Sequence, residues 1–204
     1  MARGLRAGGI VDERVLNAIA ELPRHRFVSH GLEERAYEDT ALPIAQGQTI
    51  SQPTTVARQT ELLDVRAGDR VLEVGTGSGY QAAVLCHLGA KVHSIERHEE
   101  LYFLARERLR ELGFRPMLKH GDGTKGWSAF APFDGIVVTA GAPVIPDELQ
   151  AQLAEGGRLV IPVGDQQQQT MIRVTRVGPE EFRREAFSGF SFVPLVGEKG
   201  WGGS

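Results

Sequence analysis

Three groups of residues in this chain have the types and spacing needed to hold a nucleotide-like ligand. Gly75, Gly77 and Gly79 sit in Gly75-Thr76-Gly77-Ser78-Gly79, after the apolar residues Val71, Leu72 and Val74 and before Tyr80 to Leu88, which reads as a helix. A strand turned through glycines into a helix start aims backbone N–H groups and the positive helix end at a crevice, an arrangement suited to an anion. Glycine is needed where a side chain would strain the backbone or block the ligand. Glu96 closes the next predicted strand, about 20 residues after Gly75, where a carboxylate can accept from both hydroxyls of a ribose. Asp122, between Gly121 and Gly123 after the third predicted strand, is placed to meet an adenine amino group. Singly, these are a tight turn, a solvated strand-end glutamate and a turn aspartate; their order along the chain is what points to a nucleotide.

The elements that must position them alternate in type. Lys91–Glu96, Met117–His120, Phe133–Thr139 and Arg158–Val163 read as strands. His98–Leu112, closed by Gly113, and Pro146–Ala154 read as helices. Such alternation implies parallel β-α-β units with ligands at the carboxyl ends of the strands. Upstream, Asp12 is a candidate cap for a helix carrying Val15, Leu16 and Ile19 and ended by Pro23. A short helical piece is expected at Leu32–Ala36, and residues 1–10, rich in Gly, Ala and Arg, are expected to be flexible. Residues 37–53 form a long non-periodic stretch, a length usually reserved for functional loops. It ends at Pro53, which suits the first position of a helix carrying Val56, Ala57, Thr60, Leu62 and Leu63. Beyond Gln166–Gln169, read as a loop tip, Met171–Val177, Phe182–Phe187 and Phe190–Val196 look like antiparallel strands.

Composition narrows the function classes. The 204 residues suit one α/β domain; 41% are hydrophobic and 24% charged, and the net charge of -3 gives no reason to expect a nucleic-acid partner. The single cysteine, Cys86, lies among alanines and leucines as a small core residue and fits a reducing compartment. No apolar run is long enough to span a bilayer and no signal region precedes a cleavage site, so a cytoplasmic location is expected. Six histidines show no metal-ligand spacing, and His87 reads as a surface histidine. Arg97, Arg106, Arg108 and Arg110, interleaved with glutamates, read as a solvated, salt-bridged helix face. Trp127 and Phe130 are placed either to stack on a cofactor or to pack a short helix.

In the glycine turn the third glycine comes one residue earlier than in the dinucleotide pattern. Together with Glu96, Asp122 and the Leu153–Pro162 segment, this resembles the class I S-adenosylmethionine-dependent methyltransferases. Gly47-Gln-Thr-Ile-Ser-Gln-Pro53, Gly75-Thr-Gly-Ser-Gly79, Gly121-Asp-Gly123, Gly156-Gly-Arg-Leu-Val-Ile-Pro162 and Phe192-Val-Pro-Leu195 occur in that order. The set resembles the protein-L-isoaspartate O-methyltransferase family from about Leu16 to Trp201, Gln48–Pro53 being its specific element. The resemblance implies a doubly wound, mostly parallel seven-stranded Rossmann-like sheet with antiparallel C-terminal strands. It implies a single domain, with N-terminal helices and a substrate loop over 11–64, a cofactor-binding core over 69–163 and antiparallel strands over 169–200. The implied cofactor is S-adenosyl-L-methionine, leaving as S-adenosyl-L-homocysteine and held by Gln48, Thr49, Ile50, Gly75, Thr76, Gly77, Ser78, Gly79, Glu96, Arg97, Asp122 and Gly123. Ser51 corresponds to the family's active-site serine, and Thr49, Ile50, Ser51, Val193 and Leu195 would border the isoaspartyl peptide. A monomer acting on isoaspartyl proteins is expected, with no metal, membrane or nucleic acid. Thr54, Thr55 and Gln59 stand where relatives often carry bulkier apolar residues.

The chemistry is compatible with these residues. An isoaspartyl carboxylate, with a reference pKa of about 4, is ionised at neutral pH and attacks a sulfonium methyl without losing a proton. No general base is required. Ser51 then has two readings: a hydroxyl donating to the acceptor carboxylate to hold it in line, and an N-cap for the helix at Pro53. Two other functions remain in competition. Base methylation of nucleic acid commonly uses an Asn/Asp-Pro-Pro-Tyr/Phe motif, where this chain has Thr139-Ala-Gly-Ala-Pro143. A nucleotide-binding module or an NAD-dependent enzyme would bind NAD in place of S-adenosyl-L-homocysteine.

Overall fold

The structure is a computed structural model describing residues 1–165, 167–190 and 192–202. Its centre is a seven-stranded sheet. In chain order the strands of that sheet are β3 (Arg70–Val74), β4 (Lys91–Glu96), β5 (Met117–His120), β6 (Phe133–Val138), β7 (Leu153–Gly164), β8 (Gln169–Arg176) and β9 (Phe182–Phe190). Their spatial order is β5-β4-β3-β6-β7-β8-β9. The five strands β5 through β7 are parallel, whereas β8 and β9 pair antiparallel. The winding therefore proceeds from β3 to one side through β4 and β5, then returns to the other side at β6. Connections leave β3 and β6 in opposite directions, so their carboxyl ends flank the crevice of a doubly wound sheet.

Both sheet faces are buried. Side chains alternate across a strand, so Val71 packs in the core beneath the N-terminal helices while Leu72 and Val74 pack in the opposite core. Helices α3 (Pro53–Leu63), α4 (Tyr80–His87) and α5 (Glu99–Glu111) contribute Leu63, Leu85 and Leu109 to the first core. The short α6 (Asp147–Ala151) contributes Leu149 to the second. Asp12 accepts from the Arg14 amide at 2.9 Å and caps α2 (Glu13–Glu21), as its position predicts. No helix among the described residues is long and apolar enough to cross a membrane.

Five segments differ from their sequence reading, most of them because of contacts distant in sequence. Residues 1–10 are not a loose end: Ala2–Ala7 forms helix α1, and Leu5 and Ile10 are buried. Helix α3 ties this segment down, because the Glu61 carboxylate accepts from the Val11 and Asp12 amides at 2.7 and 2.9 Å. The 37–53 stretch contains a small antiparallel hairpin of β1 (Leu42–Pro43) and β2 (Thr49–Ile50). Gln46 (φ 58°) and Gly47 (φ 64°) turn it, and Leu42 and Ile50 bury their side chains. Helix α6 is shorter than expected because β7 starts at Leu153. The chain then loops out between the pairs Phe133–Leu153 and Gly135–Arg158, with Gly156 at φ 79°.

Of the last expected strand, Phe190–Val196, Phe190 is the end of β9, and the described residues beyond it leave the sheet. Beyond Ser191, which lies outside the described residues, Val193 to Leu195 cross the end of β6. There the Gly141 amide donates to Val193 O and the Leu195 amide to Gly141 O, both at 2.7 Å. Of the glutamine tract, Gln166 lies outside the described residues. Gln169 is the first residue of β8, and its side-chain oxygen accepts from the Phe192 amide at 2.8 Å.

Candidate active site

A cleft with about 830 Å³ of non-atom space, part of it open to solvent, lies at the carboxyl ends of β3, β4 and β6. Two glycines of its floor, and a third just behind it, are there for steric reasons. Gly75 has φ 96°, and a Cβ on it would stand 2.4 Å from Thr139 Oγ1, whose hydroxyl donates to Gly75 O at 2.6 Å. Gly123 lies against Val74, 2.5 Å from where a Cβ would sit. Gly79 opens α4 at φ 89° but faces Leu109 and Ala105 on α5, and it does not line the cleft. Its role is to let α4 and α5 approach.

The glycine turn is tied down more tightly than an open row of donors. The Gly75 amide donates to Ile95 O (2.9 Å), the Gly79 amide to Thr76 O (2.8 Å) and the Gly77 amide to Glu96 Oε2 (2.8 Å). The amides of Thr76 and Ser78 remain without a partner among the described residues. Arg108, placed by its sequence on a solvated face, instead donates to Ser78 O at 2.8 Å, and burial pushes its pKa below the usual arginine value. Long-range packing onto the turn overrides the local charge pattern there.

Glu96 is buried at the cleft wall. Its two oxygens accept from the Gly77 and His98 amides, each at 2.8 Å, which fixes the carboxylate and leaves lone pairs for further donors. Asp122 sits just outside the lining. It accepts from Thr124 N (2.9 Å), Thr124 Oγ1 (2.7 Å) and Glu198 N (2.8 Å), and Arg97, which lines the cleft, stands 4.0 Å away. Burial alone would raise its pKa; the hydrogen bonds from Glu198 and Thr124 and the Arg97 charge hold it below the ordinary carboxylate value.

The opposite wall comes from the loop before α3. Gln48, Thr49, Ile50 and Ser51 line the cleft together with Val193 and Leu195. Among the described residues no group bonds the Ser51 hydroxyl. The helix-capping task falls elsewhere: Gln52 is the N-cap residue, and Asp39 accepts from Thr54 N at 2.9 Å and Thr54 Oγ1 at 2.5 Å. Ser51 thus lines the cleft without the competing role of a cap. Trp127 and Phe130 do not line the cleft; they pack edge to face, 5.0 Å between centroids, beside His93. His87 pairs with Glu21 at the surface, and burial pushes the Cys86 thiol up to about 12.

Two buried ionisable side chains beside the site escaped the sequence reading. Glu73, in the middle of β3, is fully buried beneath the glycine turn and bonded by Ser94 Oγ, which is 2.6 Å from Thr76 Oγ1 in the turn. Burial pushes its pKa up to about 8, against the Ser94 hydrogen bond and reinforced by the Glu96 charge. A glutamate between Leu72 and Val74 was the available signal. Arg24, also fully buried, donates to Ser51 O at 2.9 Å. Nothing local to Pro23-Arg24-His25 marks that contact.

Known proteins similar to this chain over nearly all of it fall in one family. The family model for protein-L-isoaspartate(D-aspartate) O-methyltransferase matches residues 1–200. A protein-L-isoaspartate O-methyltransferase of Salinibacter ruber is 58% identical over 209 residues, covering 98% of this chain and 91% of the relative. One from Christiangramia forsetii is 54% identical, covering 98% and 93%. A solved protein-L-isoaspartate O-methyltransferase superposes with a TM-score of 0.87 at 29% identity; the match covers 98% of this chain and 66% of that longer one. A Plasmodium falciparum protein assigned to the same family, solved in complex with S-adenosyl-L-homocysteine, gives 0.83 at 25% identity over 96% of each chain. With a family match along nearly its whole length, curated relatives above 50% identity and the cleft assembled from the family's motifs, the chain belongs to the protein-L-isoaspartate(D-aspartate) O-methyltransferase family.

Proposed function

We propose that this chain transfers the methyl group of S-adenosyl-L-methionine to the free carboxylate of L-isoaspartyl residues in damaged proteins, which starts their return to aspartyl. The observation that carries the reading is that one cleft joins the glycine turn and Glu96 on one wall to Thr49–Ser51 and Val193–Leu195 on the other. The fixed lone pairs of Glu96 suit two ribose hydroxyls. The unpartnered amides of Thr76 and Ser78 suit the carboxylate of the methionine half. Asp122 and Gly123 border the adenine side, with Arg97 beside them, and Gln48, Thr49 and Ile50 close over the cofactor. Gly79 contributes by packing α4 behind the turn.

S-adenosyl-L-methionine supplies an electrophilic methyl and leaves as S-adenosyl-L-homocysteine. The chain's own residues need only orient the attack. Ser51 donates to one oxygen of the acceptor carboxylate and directs the other along the S–C axis. A very strong bond would stabilise the ground state, so a single neutral hydroxyl is better suited than a facing cation. Val193 O and the Leu195 amide already pair with Gly141, so the acceptor peptide meets the side chains of Val193 and Leu195 and the free edge of Thr49–Ile50. The reading extends to a monomer in the cytoplasm with no metal, membrane or nucleic-acid partner; the net charge of -3 and single cysteine support it.

Ser51→Ala tests the central assignment. Turnover on an isoaspartyl peptide should fall on the order of 10- to 100-fold, while S-adenosyl-L-homocysteine affinity by calorimetry stays within about twofold. Unchanged turnover would remove Ser51 from the mechanism.

A further inference from the structure

Arg24 is a buried cation with no salt bridge among the described residues, the Asp39 carboxylate acting on it only at longer range. It lies in the 3-10 turn Arg24–Phe27, is fully buried, and no carboxylate among the described residues pairs with it. Its guanidinium spans two chain segments: Nε donates to Ala36 O at 2.7 Å and Nη2 to Ser51 O at 2.9 Å. The same group stacks 4.8 Å from the ring centroid of Tyr80, a residue of the cleft wall, and Nη1 is buried without a hydrogen-bond partner among the described residues. Burial pushes its pKa below the usual arginine value, yet an arginine stays charged in a protein. Holding a cation in a core without a salt bridge is unfavourable unless its hydrogen bonds offset the desolvation, and packing alone would be served as well by a methionine. The placement of its bonds shows what offsets that cost. Ala36 and Ser51 bracket the stretch that carries the β1–β2 hairpin, so one planar fork fixes both roots of the loop whose last residue is Ser51.

We infer that Arg24 is a positioning residue for methyl transfer: by holding the Ser51 carbonyl against the fixed Ala36 carbonyl, it sets where the Ser51 hydroxyl stands in the cleft. This rests on the reading of Ser51 as the group that orients the acceptor carboxylate. Arg24 is not among the cleft-lining residues and stands behind Tyr80 and the Ser51 backbone. It therefore does not pair with the acceptor carboxylate, whose nucleophilicity a direct ion pair would blunt. Lysine keeps the charge, but its ammonium is a point donor on a flexible stem and lacks the rigid fork that spans two carbonyls. The Arg24→Lys variant thus separates geometry from charge.

The experiment is a kinetic cycle of wild type, Arg24→Lys, Ser51→Ala and the double variant. Each is assayed on an isoaspartyl peptide and titrated calorimetrically with S-adenosyl-L-homocysteine. Arg24→Lys should lower kcat on the order of 10- to 100-fold, the scale of an ångström-level misplacement, with the peptide KM and the cofactor-product affinity each within about threefold of wild type. In the Ser51→Ala background the same substitution should lower kcat by less than about twofold, because the group it positions is gone. Unchanged kcat in Arg24→Lys overturns the inference. So does a parallel loss of S-adenosyl-L-homocysteine affinity, which would make Arg24 a folding residue, and so does an equal effect in both backgrounds. Wild-type turnover in Ser51→Ala alone would instead sink the reading of Ser51, a result separable from the other three. If Arg24→Lys yields no folded protein, Arg24 is required by the fold and the positioning role is overturned.

Discussion

Replacing Glu73 by glutamine should make this protein more stable, and only above a certain pH. The Glu73 carboxyl sits in β3 under the glycine turn with Ser94 Oγ on one oxygen and, among the described residues, no hydrogen bond of normal length on the other. Burial moves its pKa from 4.5 in the unfolded chain to about 8 in the folded one. Between these values the unfolded chain has released the proton and the folded chain retains it. The folded state therefore binds more protons, and stability falls as pH rises through this window, levelling off above 8. The integrated loss has an upper bound of roughly 5 kcal/mol, from the pKa difference at about 1.4 kcal/mol per unit. Glutamine matches the neutral acid in shape and can still bond Ser94 but has no proton to lose. Glu73→Gln should be close to wild type at pH 5 and gain up to a few kcal/mol by pH 8.5. Urea unfolding midpoints of both proteins, taken in steps from pH 5 to 9, isolate this group because every other titrating residue is common to the two. A midpoint difference that does not change with pH would refute the buried-acid reasoning.

Two further substitutions probe the cofactor wall. Gly75→Ala places a methyl 2.4 Å from Thr139 Oγ1 at a backbone φ of 96°; this should cost on the order of 1–3 kcal/mol in stability, with partial recovery in the Thr139→Ala background, read by thermal melting. Glu96→Gln leaves one acceptor oxygen for two backbone amides and the ribose, so S-adenosyl-L-homocysteine affinity should fall on the order of tenfold or more by calorimetry; unaltered affinity would reduce Glu96 to a strand-end brace for Gly77 and His98.

Much of the sheet was legible in the sequence because its signals are local. Lys91–Glu96 and Met117–His120 have the strand bounds expected of them, each entered a few residues after a glycine, Gly89 and Gly113. The carboxylates at the ends of β4 and β5 follow from chain order alone. The parts that were not legible depend on partners far along the chain. No local feature says that Glu61 holds the Val11 and Asp12 amides, so residues 1–10 looked loose. Helix α3 draws its cap from Asp39 across a hairpin, not from Ser51 beside it. The Val193–Leu195 segment looks like a strand by residue type, but Gly141 pairs it to the end of β6 and turns it over the cleft. In the site, the motifs that announce themselves are glycines, serine and end-of-strand acids. The side chains bonded behind them, Arg24, Glu73 and Arg108, are ionisable residues, the first two fully buried and Arg108 half-buried, whose removal from water arises only from the assembled fold.

The central claim is a cleft that brings a methyl donor to a carboxylate displaced by one backbone atom from its normal place. Its most direct test is radiolabelled methyl transfer from S-adenosyl-L-methionine to two peptides of identical sequence, one with L-isoaspartyl and one with L-aspartyl at the same position. The account predicts base-labile methyl ester on the isoaspartyl peptide and little on its aspartyl twin; equal incorporation into both, or into neither, would contradict it.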